Sequence, residues 1–149
     1  MPAVDAVIYA IHVSFAALWT GAVLFVTAGV LPTALDGQIN ATPMKTVTGR
    51  LKLVSRASAL LLLITGGHLA ATRYGGGELT GTTKGYLVIA MVVLWFLLAG
   101  LVEVGASKLS DGFDQNKVRS PAHEARPFLL AASAVAVLLL VDAGLILGL

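Results

Sequence analysis

The stretch GYLVIAMVVLWFLLAGLVEV (85–104) decides the fold, because it carries a single charged side chain, Glu103, close to its end. It lacks the polar–apolar alternation of a barrel strand. As an α-helix rising 1.5 Å per residue it is about 30 Å long, the thickness of a bilayer's hydrocarbon core. A Gly- and Thr-rich segment precedes it, with Thr80 or Thr82 placed to cap the helix and Lys84 at its entry.

Three further runs have the same character. Residues 6–31 form the first and stop at Pro32, which removes a helical donor and clashes with the preceding turn. Residues 53–71 form the next, extended toward Thr42-Pro43, a pair suited to N-cap and first helical position. Residues 128–149 form the last. Ser120-Pro121 offers it an earlier start, in which case Pro127 kinks it. The expectation is one all-α domain over residues 1–149, with helices at about 4–31, 43–73, 83–106 and 121–149. Short connections make it an up-down-up-down integral membrane four-helix bundle. Gly21, Gly29, Gly66, Gly67 and Gly100 allow close helix approach.

Composition agrees. Of 149 residues, 57% are hydrophobic and 12% charged, and mean hydropathy is +0.88. A soluble domain carries about 25% charged residues, so this chain could not cover itself with polar groups in water. The start of the chain lacks the positive segment of a secretory signal, so the first helix is expected to remain. Lys45, Arg50, Lys52 and Arg56 lie in or beside the first connection, and Lys108, Lys117, Arg119 and Arg126 in or beside the third. The second has only Arg73 and Lys84. The positive-inside rule then puts the first and third connections in the cytoplasm and both termini outside, in a multi-pass protein of the cytoplasmic membrane. The basic residues thus report topology, not a nucleic-acid surface. The absence of Cys excludes disulfides and thiolate chemistry. Tyr74-Gly75-Gly76-Gly77 lacks the Gly-Lys-Ser/Thr ending of a phosphate-binding loop.

Ionisable groups at membrane depth point to function, because each is expensive to bury there. Arg56 and Glu103 fall near the inner boundary, where they suit a structural ion pair or snorkelling to water. His12, His68, Met91 and Asp142 fall in the outer half, at estimated depths of about 12, 8, 9 and 11 Å. One face of the first helix carries Asp5, Tyr9, His12, Ala16 and Trp19. The second carries a stripe of Ser58, Thr65, His68 and Thr72, and Lys84, Met91 and Trp95 align on the third. Polar stripes have no reason to face lipid, so they are expected to meet inside the bundle. A single His here reads as a core residue bonded to Asp142 or a Thr hydroxyl. Two on different helices, with a thioether and a carboxylate at one level, read as a site. Copper accepts imidazole and thioether, making His12, His68 and Met91 a candidate ligand set, with Asp142 as a further ligand, a His orienter or a proton relay. Haem b held axially by His12 and His68 is the alternative. His123, beside Glu124 in the third connection, reads as solvated.

His12, Trp19 and Gly21 stand as His-x6-Trp-x-Gly in IHVSFAALWTGAVLF (11–25). They are followed by Arg56-x-Ser58, Thr65-Gly66, Tyr74-Gly75 and Lys84. In that order the motifs resemble the copper resistance protein D (CopD) family over nearly the whole chain. The resemblance implies a cytoplasmic-membrane protein of copper uptake or handling, here reduced to a four-helix core. More distantly the chain is similar to HemJ-type protoporphyrinogen oxidases, which share the pattern of His12, Trp19 and Lys84. That likeness implies haem and oxidoreductase activity, while Lys84 at the outer mouth reads first as snorkelling, otherwise as a partner for a haem propionate or an anionic headgroup. The Leu-Pro-Arg of that family is here Leu31-Pro32-Thr33. The partners expected are lipid, a metal ion or haem, and either a second copy of the chain or a larger membrane complex. In such a complex the chain could equally be a structural subunit with no site of its own.

Overall fold

The computed structural model describes residues 3–149; Met1 and Pro2, part of the start examined for a signal, lie outside the described residues. Four long helices make up the chain: α1 (Ala3–Leu35), α2 (Ala41–Arg73), α3 (Thr83–Phe113) and α4 (Arg119–Gly148). Each is long and apolar enough to cross a membrane, and the described residues contain no strand. A one-turn helix, Glu78–Gly81, sits in the second connection.

Pro32 does not end α1 as the sequence suggested. The chain relaxes into a π-helical turn over Val26–Val30 and resumes as α-helix over Leu31–Leu35, with Pro32 in the first turn of the resumed segment. The Leu31 N–H reaches five residues back to the Val26 carbonyl, so the regular i→i−4 ladder that proline cannot join is already interrupted there. At α2 the N-cap is Asn40, two residues before Thr42, which places Pro43 still within the first turn. Thr82 caps α3, its hydroxyl accepting from the Gly85 backbone N–H at 3.0 Å. That helix runs on to Phe113, beyond the expected 106, and α4 begins at Arg119 and passes through Pro127 without interruption. Pro127 and His123, whose carbonyl loses its usual donor, are both exposed, so water can satisfy that carbonyl.

Residue pairs run in descending register across each seam, as antiparallel packing requires. Along α1–α2 they are Asp5 with His68, His12 with Thr65 and Trp19 with Ser55. Trp95 Nε1 donates to the Ala59 carbonyl (3.2 Å), and Arg56 meets Glu103, across α2–α3. Gly105 lies against Leu129 and Gly112 against Pro121 across α3–α4. Thr27 donates to the Leu129 carbonyl (3.4 Å) and Arg119 to the Asp36 carbonyl (2.9 Å), closing α4 onto the α1 end of the ring.

The inward positions of α2 are Met44, Thr48, Leu51, Ser55, Ser58, Leu62, Thr65 and Leu69, alternating steps of four and three. That is a heptad seam, which fits near-parallel helix axes. Burial is uneven along the bundle. Near the basic connections Trp19, Val23, Met44, Leu98, Leu109, Phe113 and Leu129 are all fully buried. Toward the termini, α1 has no buried residue before Trp19, α3 none between Gly85 and Leu98, and α4 only Asp142 after Ala136. There α1 and α2 are joined by polar contacts, as suits lipid, where burying apolar surface gains nothing. Outward positions such as Phe25, Leu60, Ile64, Phe96 and Leu147 are well exposed, an apolar coat matched to a bilayer.

Candidate functional site

The two intramembrane histidines come from α1 and α2 and lie in the seam between those helices. The spacing that puts Asp5 and His12 on one face of α1 also sets them against Thr65 and His68, three residues apart on α2. His68 Nε2 donates to Asp5 Oδ1 at 3.0 Å, both side chains being partly shielded (38% and 17% exposed). His12 Nδ1 stands 2.8 Å from Thr65 Oγ1, and Thr65 itself donates to the Leu61 carbonyl at 2.6 Å. Gly66 makes room for the His12 ring, since a Cβ there would lie 3.0 Å from His12 Cε1. Two turns deeper on α1, Trp19 Nε1 donates to Ser55 Oγ at 2.9 Å. Above the histidines the Arg73 guanidinium lies 5.3 Å from the centre of the Tyr9 ring.

Asp142 is buried on α4, 6% exposed, and no described protein group hydrogen-bonds its Oδ2. The register of Gly112 against Pro121 carries Asp142 to the level of Met91 on α3, and that of Thr27 against Leu129 carries it to Ser14 on α1. By that register His12, Met91 and Asp142 share a level, and His68 sits about one turn, ~5 Å, nearer the end that holds the termini. Met91 is half-buried, as is Lys84 in the first turn of α3.

Level is not contact. Among the described residues no three His, Asp or Glu side chains gather to hold a metal ion, so His12, His68 and Asp142 do not form a single acidic-imidazole cluster. The carboxylate that reaches a histidine is Asp5, not Asp142. The helical spacing places Asp5 on the same face as His12 but does not name this partner. The signal was present: an acid seven residues before His12, opposite a His three residues after Thr65, pairs naturally in an antiparallel seam.

At the other level, Arg56 donates twice to Glu103, from Nε at 3.2 Å and from Nη2 at 2.6 Å. Of the two alternatives the sequence left open, an ion pair or snorkelling, the pair is what forms, and it links α2 to α3 in bidentate form. His123 is exposed in the first turns of α4, as expected of a solvated residue.

Compared with known proteins, the chain matches no family model, no curated protein and no solved structure.

Proposed function

We propose that the protein handles a metal ion in the membrane, with copper as the favoured ion and His12 and His68 as its ligands. The observation that carries this reading is that each imidazole is held through one ring nitrogen by a side chain of the opposite helix. Among the described residues the second nitrogen of each ring takes no hydrogen bond across the seam. Metal-binding histidines are characteristically oriented through the nitrogen that does not ligate, by a carboxylate, a backbone carbonyl or water; here a carboxylate and a hydroxyl oxygen stand in those places.

Ligand chemistry supports copper over zinc. Structural zinc takes four protein donors, and catalytic zinc three with a water; no such set of His, Asp and Glu gathers among the described residues. Two imidazoles with the Met91 thioether near their level make a soft, sparse donor set suited to monovalent copper. A porphyrin suits this seam less well. Bis-histidine haem needs the two rings on opposite faces of a broad plate. Here α1 and α2 are in direct contact through Trp19–Ser55, His12–Thr65 and Asp5–His68. By the positive-inside rule the histidines lie toward the outer face, where an ion arriving from outside would meet them first.

Purified protein in lipid nanodiscs, titrated with copper under reducing conditions, tests the reading. Wild type should bind copper stoichiometrically, and His12→Ala or His68→Ala should abolish binding while far-ultraviolet circular dichroism stays helical. A wild type that binds no copper, or variants that bind as well as wild type, would overturn it. A Soret band from haem-replete cells, lost in both variants, would replace copper with haem.

A further inference from the structure

The hydrogen bonds at the two histidines specify where their protons are. Thr65 Oγ1 lies 2.6 Å from the Leu61 carbonyl oxygen and 2.8 Å from His12 Nδ1. A threonine hydroxyl has one proton to give and two lone pairs to receive with. The carbonyl has no proton, so two oxygens at that separation are held together only by the threonine's own hydrogen. Thr65 therefore faces His12 with a lone pair, and His12 Nδ1 carries the proton. On the other ring the roles of the nitrogens are exchanged. Asp5 Oδ1 lies 3.0 Å from His68 Nε2, and a carboxylate oxygen in that place accepts, which assigns the proton to His68 Nε2. In neutral rings the bare nitrogens are then Nε2 of His12 and Nδ1 of His68.

We propose that Thr65 and Asp5 are positioning residues that lock the two imidazoles in opposite tautomers, so that the site offers one Nε2 and one Nδ1 to its ligand. Gly66 belongs to the same device. A side chain there would press on the His12 ring edge and push it off Thr65. The ligand class follows from sterics. The Nδ1 of a histidine sits beside its own Cβ and backbone, where a flat macrocycle cannot seat but a small bare cation can. Neutral nitrogen lone pairs also favour a borderline or soft cation over an anion. The purpose given to these tautomers rests on the metal-handling reading; the tautomers themselves belong to the metal-free protein.

The test is nitrogen-15 NMR of metal-free, imidazole-labelled protein in nanodiscs, with exposed His123 as the internal reference for a ring free to exchange. His12 should show a protonated Nδ1 and bare Nε2, and His68 the reverse. Thr65→Val removes the hydroxyl at nearly constant shape, so the His12 signals should move toward exchange while His68 and His123 stay unchanged. Thr65→Ser should restore them. Asp5→Asn should release His68 and leave His12 alone. In copper titrations Thr65→Val should keep the stoichiometry and weaken affinity about 10- to 100-fold, the usual effect of losing a ligand's orienting partner. A wild-type His12 protonated on Nε2, or a Thr65→Val ring with unaltered signals, would overturn the assignment. Correct tautomers with no copper bound would instead sink the metal reading alone.

Discussion

Adding one methyl group at Gly66 should separate a packed site from a permissive helix. The ideal Cβ at that position lies 3.0 Å from His12 Cε1, whereas nothing lies within 4 Å of the corresponding atom at Gly67. Carbon atoms rest at about 3.5–4.0 Å, so the His12 ring must retreat by several tenths of an ångström. It is held at 2.8 Å from Thr65 Oγ1, and the retreat stretches that hydrogen bond toward the limit of usable length. Overpacking at its mild end costs about 1 kcal/mol, and weakening the bond adds up to ~1 kcal/mol. Replacing glycine by alanine inside a helix favours both variants by a similar amount, roughly 0.5–1 kcal/mol, so that gain cancels in the comparison. Gly66→Ala should therefore be about 1–2 kcal/mol less stable than Gly67→Ala, roughly a tenfold change in the unfolding equilibrium. Reversible unfolding in mixed detergent micelles, followed by tryptophan fluorescence and circular dichroism, measures the difference. Equal stabilities, or a more stable Gly66→Ala, would refute the claim that Gly66 is shaped around His12.

Trp19→Phe should destabilise the bundle by about 1–3 kcal/mol, because Ser55 would be left buried without its indole donor. In the double variant with Ser55→Ala the loss should fall short of the sum of the single losses, measured by the same unfolding assay. Asp142→Leu should leave thermal stability unchanged or raise it, since Asp142 Oδ2 has no described donor to lose and a buried carboxyl is expensive. A fall of more than about 1 kcal/mol in the unfolding assay would mean that Asp142 is held by a protein partner after all.

The sequence displayed the helices more clearly than their ends. Hydropathy reports which residues tolerate lipid, and a helix need not stop where lipid does. Gly105, Ala106, Leu109 and Phe113 continue α3 past its apolar run because they pack against neighbouring helices beside the basic connections. Pro32 was read as a terminator because a regular α-helix was assumed before it, and the π turn removes that premise. Within the site, the polar stripes were readable from spacing: Trp19, His12 and Asp5 each meet a side chain of α2. Which side chain they meet was not readable. Partner choice depends on the vertical offset between helices, and nothing in the local sequence encodes that offset. For the same reason a shared depth for His12, Met91 and Asp142 could be estimated, while the pairing of His68 with Asp5 rather than Asp142 could not.

The widened turn at Val26–Val30 acts as a phase shifter in α1. A π turn stores one surplus residue relative to an α-helix, which rotates everything beyond it by about 100° around the axis. That rotation lets Leu31 and Ala34 face the same interior as Trp19 and Val23. Removing a single amino acid from the turn would restore a regular α-helix with Leu31 and Ala34 still facing inward, whereas removing a second would swing them away by about 100°. Length at this point is therefore constrained by angle rather than by reach.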